Sequence, residues 1–332
     1  MNEYTEEISI KGKQVKVKAL RAENKDIIVS GKFLKTARVK EEWDADVLSP
    51  DVLVGELKAC RSKADIFTFW QRLPDVTPKF HGHYFEWDNV AAIPVTSYEH
   101  WWNEQIRFRA RNKFRKAEKS GVSLRVAILD DELVRGIMAI YNESPIRQGK
   151  PFWHYGKDLE TVKRENATYL DKSDFIGAFY KGELIGFIKL VNHGRFAFIM
   201  QIVSMKQHHD KAPTNGLIAK AVEICAQKKI PYLVYAKYIY GKKGADTLTE
   251  FKRSSGFEKI EIPRYYIPLT LKGKIALTLR LHNGLVGLLP EKLVIRLIQI
   301  RNNWYEKKAE RQKNPDKIIC QSVIKTKSDQ IS

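Results

Sequence analysis

The sequence predicts a mixed α/β fold of the α+β kind, a mostly antiparallel central sheet flanked by helices, and three observations carry that prediction. First, three β-rich runs follow one another: Phe175 to Tyr180, Glu183 to Val191 and Arg195 to Val203. Lys181-Gly182 and His193-Gly194 separate them, and a glycine at such a point can take positive φ, so an antiparallel meander is the simplest arrangement. Second, the apolar period then changes. Leu217, Ile218, Ala221, Val222 and Cys225 recur at three- and four-residue spacing, which predicts an amphipathic helix. Ala212-Pro-Thr-Asn-Gly216 opens it, with a proline for the first turn and Thr or Asn as cap. Its bare N–H groups also suit a phosphate. Third, Ile230 to Tyr238 reads as one more strand, followed by a short helix at about Ala245 to Ser254 that Gly256 closes.

The flanking segments extend this frame. Ile8 to Leu20 alternates apolar and polar residues around Lys11-Gly-Lys13, a hairpin pattern. Val52 to Lys63 reads as a helix. Asp65 to Trp70, Tyr84 to Trp87 and Val90 to Val95 read as strands, so residues 1–95 form an N-terminal α/β unit. Thr96-Ser-Tyr-Glu99 is a capping box for a helix that can run to Gly121, with Trp102, Ile106, Ala110, Phe114 and Ala117 on one stripe. Residues 96–270 make the main domain. Residues 271–332 form a basic helical extension with Leu293, Leu297, Ile300 and Trp304 on one stripe and Lys292, Arg296, Lys307, Lys308 and Arg311 elsewhere. That stripe suits either a membrane interface or packing on the main domain. From about Gln312 the polar tail lacks periodicity and is expected to be disordered.

At 332 residues, 43% hydrophobic and 29% charged, the chain is long enough for two modest cores and too apolar for wholesale disorder. Lys plus Arg exceed Asp plus Glu by 58 − 39 = 19, which predicts an anionic partner: RNA, a lipid headgroup or a nucleotide donor. The acidic start lacks the features of a secretory signal, and no apolar run approaches a membrane span, so a cytoplasmic protein is expected. Cys60, Cys225 and Cys320 fit reduced thiols and no zinc spacing, and His81 and His83 lack a nearby third ligand, so no metal is expected.

Two segments sharpen the prediction. Arg111-Asn-Lys-Phe-Arg-Lys-Ala-Glu-Lys-Ser-Gly-Val122 resembles the basic helix that leads into the second domain of FemAB-like proteins, and Phe251-Lys-Arg-Ser-Ser-Gly-Phe257 resembles the last helix and strand of the GNAT fold. With the element order, roughly Val95 to Leu271 resembles the GNAT-like acyl-CoA N-acyltransferase fold, and more closely its FemAB-like branch, which includes the peptidoglycan-bridge aminoacyl ligases. The resemblance implies that the N-terminal unit is a shortened first copy of the same domain. It implies transfer of an acetyl or aminoacyl group to an amine of a small-molecule or lipid-linked precursor of the cell envelope or of a polysaccharide. The donor would be acyl-CoA, acetyl-CoA first, with aminoacyl-tRNA as the alternative. A rival from another class is a non-catalytic module binding RNA or an anionic membrane at the inner face of the plasma membrane; DNA is not expected.

The same resemblance assigns candidate residues. A main-chain N–H at Val203, Ser204 or Met205 would polarise the carbonyl, and Lys206, Lys211, Thr214, Asn215, Gly216 and Leu217 would flank the donor's phosphates. The segment Gln207 to Gly216 departs from the family's glycine-rich loop in having one glycine, late. Tyr238 and His154 are the candidates for proton transfer. The segment Tyr141 to Tyr155 concentrates Arg, Gln, His and aromatics without a regular period, as binding loops do. Arg147, Gln148 and Tyr155, with Arg264 and Tyr265 on a second wall, are the expected acceptor contacts. Arg107, Arg111, Arg115 and Lys119 recur every four residues, either as a solvated face or as an anion-binding surface.

Overall fold

A computed structural model of the chain describes residues 3–10, 13–60, 64–240, 247–284 and 290–313. Its strands are β1 (Glu3–Ile10), β2 (Lys13–Ala22), β3 (Lys25–Ser30), β4 (Thr36–Val39), β5 (Ile66–Trp70), β6 (Phe85–Pro94), β7 (Val122–Ala127), the small pair β8 (Ile146–Arg147) and β9 (Lys150–Pro151), β10 (Ser173–Tyr180), β11 (Glu183–Asn192), β12 (Ala197–Ser204), β13 (Tyr232–Val234) and β14 (Glu258–Pro268). Twelve of them form one sheet in the order β1-β2-β3-β4-β5-β14-β6-β13-β12-β11-β10-β7.

Read inward from either edge, the two halves of this sheet follow the same rule. Four antiparallel strands come first, then a parallel neighbour, then an antiparallel one: β1 to β4, β5 and β14 on one side, β7, β10 to β12, β13 and β6 on the other. A parallel pair needs a crossover, and each has a helix in it. These are α1 (Pro50–Ala59) between β4 and β5, and α6 (Pro213–Gln227) between β12 and β13. The first half is the leaner. Between β7 and β10 lie α4 (Asp131–Asn142) and α5 (Leu159–Asn166), whereas β1 leads directly into β2. The halves are joined by β14 against β6, from Glu258↔Ala92 to Tyr265↔Phe85.

The larger core packs α6 and α3 (Phe108–Lys119) on the second half, with Phe114, Ala117, Ile188, Leu190, Leu217 and Val222 buried. The first half has its own core around Leu20, Leu53, Phe67 and Phe69, and a smaller cluster of Leu73, Val90, Phe196, Val234 and Ile262 covers the middle of the sheet. Helix α7 (Thr247–Ser254) precedes β14, α8 (Leu271–Thr278) packs on β14, and α9 (Glu291–Lys313) leans on the β8–β9 pair, where Gly149 lacks a Cβ that would meet Asn302.

Several sequence expectations change. The two strands expected between Tyr84 and Val95 are the single strand β6, because the exposed Trp87 and half-buried Asp88 pair with β14 without a break. The helix expected from Thr96 to Gly121 is interrupted. Ser97, rather than Thr96, caps the short turn α2 (Tyr98–His100), a π-turn spans Trp101–Gln105, and Arg107 is extended before α3 begins. Tertiary bonds hold this break open: the buried Trp101 indole donates to the Ser255 carbonyl at 3.0 Å, and the Gln105 amide to that of Pro94 at 2.8 Å. Strand β13 stops at Val234, short of Tyr238. The Lys11-Gly12 turn, Cys320 and the tail beyond Lys313 lie outside the described residues.

Tyr265, expected at an acceptor wall, is instead fully buried in the core of the first half. Its hydroxyl donates to Gln71 Oε1 at 3.1 Å and accepts from the Lys79 N–H at 2.9 Å. Strand alternation explains the difference, since its neighbours Arg264 and Tyr266 face the other side. Tyr265→Phe is expected to lower unfolding free energy by about 1–3 kcal/mol in urea titrations, because it leaves buried partners unmatched.

Candidate functional site

Strands β12 and β13 are hydrogen-bonded side by side at two positions, Ala197↔Leu233 and Phe198↔Val234, and then part. Opposite β11 the register slips at Lys189/Leu190, so Met200 is an extra residue that bends β12 at this point. Beyond the bend β12 still pairs with β11, leaving its other edge without a partner strand among the described residues. The Met205 N–H donates to Ile185 O at 2.8 Å and so faces β11. Main-chain groups alternate sides along a strand, which turns the N–H groups of Ile202 and Ser204 into the opening. Of the three positions expected to polarise a carbonyl, Ser204 turns its N–H to the opening, while those of Val203 and Met205 face β11.

A cavity of about 360 Å³ begins where the two strands part. Phe196, Phe198 of β12, Val234, Ala236, Lys237 and Tyr240 form its second-half side, and Arg38, Lys40, Glu42, Trp43, Trp70 and Arg72 its first-half side. Most of its charges are matched. Arg264 donates to both oxygens of Glu42 and to Asp88, Lys237 reaches Asp88 at 2.7 Å, Arg72 reaches Asp46 at 2.8 Å, and Lys40 reaches Glu6 at 2.7 Å. Burial would raise the carboxyls of Asp88 and Asp46, but these cations hold both below the ordinary range. Arg264 thus braces the cavity wall, with its guanidinium 4.5 Å from the Trp70 ring, and its donors are spent within the chain.

The expected phosphate loop is arranged differently from the sequence expectation. Glu143, at the end of α4, accepts from the main-chain N–H groups of Lys206 at 2.8 Å and Gln207 at 2.9 Å, so both donors are engaged within the chain. In the first turn of α6 the N–H groups of Asn215 and Gly216 both turn to Ala212 O. Lys206 Nζ bonds Ile146 O at 2.6 Å, Lys211 bonds Asp210, and Thr214 and Ser204 share a 2.8 Å hydroxyl contact. Leu217 is core. Gly216 is there for packing: a Cβ would come within 3.0 Å of Ala117 and Leu124, so its absence lets α6 approach α3.

Arg147 also has a different role from the acceptor contact expected. Its guanidinium donates to Ser204 O at 2.7 Å, Ile140 O at 2.7 Å and Glu143 at 3.0 Å, tying the end of β12 to α4. Gln148 and Tyr155 are exposed on the neighbouring loop. His154 lies deeper, stacked 4.6 Å from Tyr141. A polar chain runs from it: Tyr141 donates to Gln201 Oε1 at 2.7 Å, Gln201 Nε2 is 3.4 Å from His154 Nε2, and Lys157, 3.3 Å from Nδ1, pairs with Glu165. Burial, with Lys157 beside it, holds the His154 imidazole down to about 4. It is neutral at physiological pH and a weak base. Tyr238 does not line the cavity; it packs on the main core while its carbonyl accepts from Thr249. The structure therefore does not unite the two proton-transfer candidates in one cleft.

Tyr141, Gln201, Glu143, Arg38, Trp43 and Trp70 escaped the sequence reading, and their roles arise from contacts between distant segments. Two buried lysines were visible in principle as cations at apolar positions. Lys189, amid Ile-Lys-Leu-Val, donates to Asn166 O at 2.9 Å and is lowered by burial to about 8; Lys252 is fully buried and bonds Lys237 O. Just before α3 Arg107 pairs with Glu250; on α3 Arg111 folds back to Asn103 O and Arg115 covers Trp102, while the exposed Lys119 extends the cationic surface.

No protein-family model matches the chain, and no curated protein does. Solved structures do. FemX superposes with a TM-score of 0.58 at 10% identity, covering 83% of this chain and 90% of FemX. L-PGS from Bacillus licheniformis gives 0.52 at 12% identity, covering 80% and 88%. A domain assigned as the C-terminal part of a lysylphosphatidylglycerol synthetase from Agrobacterium fabrum gives 0.52 at 13%, covering 78% and 86%. The chain has the FemAB-like, GNAT-like fold. In a FemAB-like frame the parting of β12 from β13, the helix after it and the loop after α4 are the places where the sequence reading expected carbonyl, donor and acceptor.

Two outcomes test this geometry. Gly216→Val should destabilise the protein by about 1–3 kcal/mol by wedging α6 from α3, read as a lower melting temperature. His154 makes stability depend on pH. The unfolded chain takes up its proton near 6.5 and the folded one near 4, so its contribution is complete above 6.5 and is lost as pH falls toward 4. His154→Gln should flatten that part of the stability profile, measured by denaturant titration across the same range.

Proposed function

We propose that the protein is an acyltransferase that moves an acyl or aminoacyl group from an activated donor to an amine, on a precursor of the cell envelope or of a polysaccharide. The observation that carries this reading is the opening between β12 and β13, where the strands part beyond the Met200 bulge and the Ile202 and Ser204 N–H groups face the edge of β12 that has no partner strand among the described residues. Donors fixed in that way stabilise the negative charge that grows on a carbonyl oxygen under attack. The likeness to FemX and L-PGS in fold is consistent with this reading.

Of the two donors, the structure favours aminoacyl-tRNA over acyl-CoA. At the turn expected to hold the phosphates the N–H groups of Asn215 and Gly216 are turned to Ala212 O, Glu143 occupies those of Lys206 and Gln207 beside it, and Gly216 is used against Ala117. The net charge of +19 and the exposed cations Arg107, Arg115 and Lys119 suit a polyanion. A cytoplasmic protein at a membrane surface fits the C-terminal helix. Leu293, Leu297, Ile300 and Trp304 are exposed along one face of α9, with Lys292, Arg296 and Arg301 exposed beside them. No helix among the described residues is long and apolar enough to cross a membrane.

The test is a donor panel. Charged tRNA should bind with affinity that falls steeply as salt rises, and should raise the melting temperature, whereas acetyl-CoA should do neither. Saturable stabilisation by acyl-CoAs alone would reverse the donor assignment. Absence of transfer from both donor classes to amine acceptors would remove the catalytic reading.

A further inference from the structure

The cavity holds two buried donors that the chain does not satisfy. Arg38 Nε and Trp70 Nε1 each have no hydrogen-bond partner among the described residues, and both residues line the cavity. Their placement follows from the sheet. On the parallel pair β4–β5, Arg38 stands opposite Thr68, and Trp70 is two residues further along the same face, so both side chains project to the same side. The other cations around the cavity differ from Arg38 in having a carboxylate: Arg72 has Asp46, Lys237 has Asp88, Lys40 has Glu6, and Arg264 has Glu42 and Asp88. Among the described residues Arg38 has no acceptor at all.

Buried N–H groups are almost always paired, because a donor removed from water without a partner is costly. A guanidinium and an indole N–H on one wall are both donors and neither can accept, so the group that completes them is rich in acceptors. Phosphate and carboxylate are the groups whose geometry a guanidinium matches. Apart from the paired charges of Lys40, Glu42, Arg72 and Lys237, much of the wall is apolar. Phe196 and Phe198, with Trp43 stacked 5.2 Å from Phe198, and Leu73 and Val234 give a body of hydrocarbon or ring a place to be buried.

We propose that this cavity binds an amphipathic anion, a phosphate or carboxylate carried on an apolar body, with Arg38 holding the anionic group, Trp70 donating a second hydrogen bond and the Phe196–Phe198 wall covering the apolar part. The assignment of this anion as the acyl acceptor rests on the transfer reading above; the binding itself does not. Arg38 and Trp70 come from the leaner first half, and Phe196 and Phe198 from the second. The first half thereby supplies the anion recognition for a cavity that opens onto the transfer strands of the second.

Octyl phosphate, octanoate and octanol share one chain and differ in the head group, and calorimetric titration of the full-length protein with each, in the absence of any acyl donor, tests the proposal. Octyl phosphate, octanoate or both should bind at least tenfold more tightly than octanol, and the ratio between the two anions identifies the preferred head group. Arg38→Gln should weaken the bound anion by about tenfold or more, and Trp70→Phe by a few-fold, while neither changes octanol binding. Arg38→Lys, which keeps the charge but not the fork, should fall between wild type and Arg38→Gln. Equal binding of octanol and the anions, an Arg38→Gln protein with unchanged anion affinity, or no anion binding would each overturn the proposal. If Arg38→Gln does not fold, the comparison of anions with octanol on the wild-type protein and the Arg38→Lys titration still decide it. A protein that binds these anions but transfers no acyl group leaves the site standing and removes the acyl-transfer reading; one that transfers acyl groups and ignores the anions does the reverse.

Discussion

The pairing of β14 with both β5 and β6 is the constraint on which the other features rest. This last long strand enters the middle of the sheet between two strands formed far earlier in the chain, with Arg264 opposite Trp70 on one side and Glu86 on the other. It makes one twelve-stranded sheet of two halves that would otherwise end in open edges there, and unpaired edges are a liability. It also carries Ile262 and Arg264 to the cavity face and Tyr265 to the opposite core, so a single strand serves both surfaces. Pairing over such sequence separation costs loop-closure entropy before any contact is gained, so this central seam is expected to form late in folding.

Around that seam the charges are organised by burial. Asp88 bridges Lys237 and Arg264, Asp46 bridges Arg72 and Arg195, and Asp44 joins His193 to Lys172. Asp44 and Asp46 lie in the segment between β4 and α1, whereas His193, Arg195 and Lys172 come from the second half. The bridges therefore tie a first-half loop to the second half beside the cavity. At the most enclosed of these, Asp88 with Arg264, removing one partner would cost more than the pair contributes, because it leaves a buried charge without compensation. His193 reflects the same enclosure: burial drives its imidazole down to about 4 despite the opposing pull of Asp44.

The parted strands and the capped loop give the second half a mixed character. The bulge at Met200 leaves β12 and β13 parted, while Glu143 and Arg147 tie the end of β12 and the loop after it to α4. A carboxylate accepting two main-chain N–H groups is an internal substitute for a bound anion, and it makes that loop a structural junction between α4, β12 and α6. Anion recognition then falls to Arg38 in the other half.

The strands and helices with a clean period were legible in the sequence. The meander from Phe175 to Val203, the helix after Pro213 and the helix at Val52 declared themselves through alternation, spacing and caps, because local sterics and one-sided burial act over a few residues. The family resemblance rested on the same local signals, and the fold agrees with it. What a linear pattern does not carry is which distant groups meet. The capping box read at Thr96 lay one residue off, since Ser97 is the cap, and the bonds of Trp101 to Ser255 and Gln105 to Pro94 accompany the break of that helix within two turns. Arg147 had the composition of a binding residue and became a brace because the Ser204 and Ile140 carbonyls lie within its reach. Tyr265 and Arg264, adjacent in sequence, were assigned by strand alternation to a core and to a cavity wall. Arg38, in a short strand with no motif around it, became notable because no carboxylate reached it. Propensity and periodicity set the elements, whereas the satisfaction of buried charge and hydrogen bonds depends on partners brought together from across the chain, and only the tertiary structure decides it.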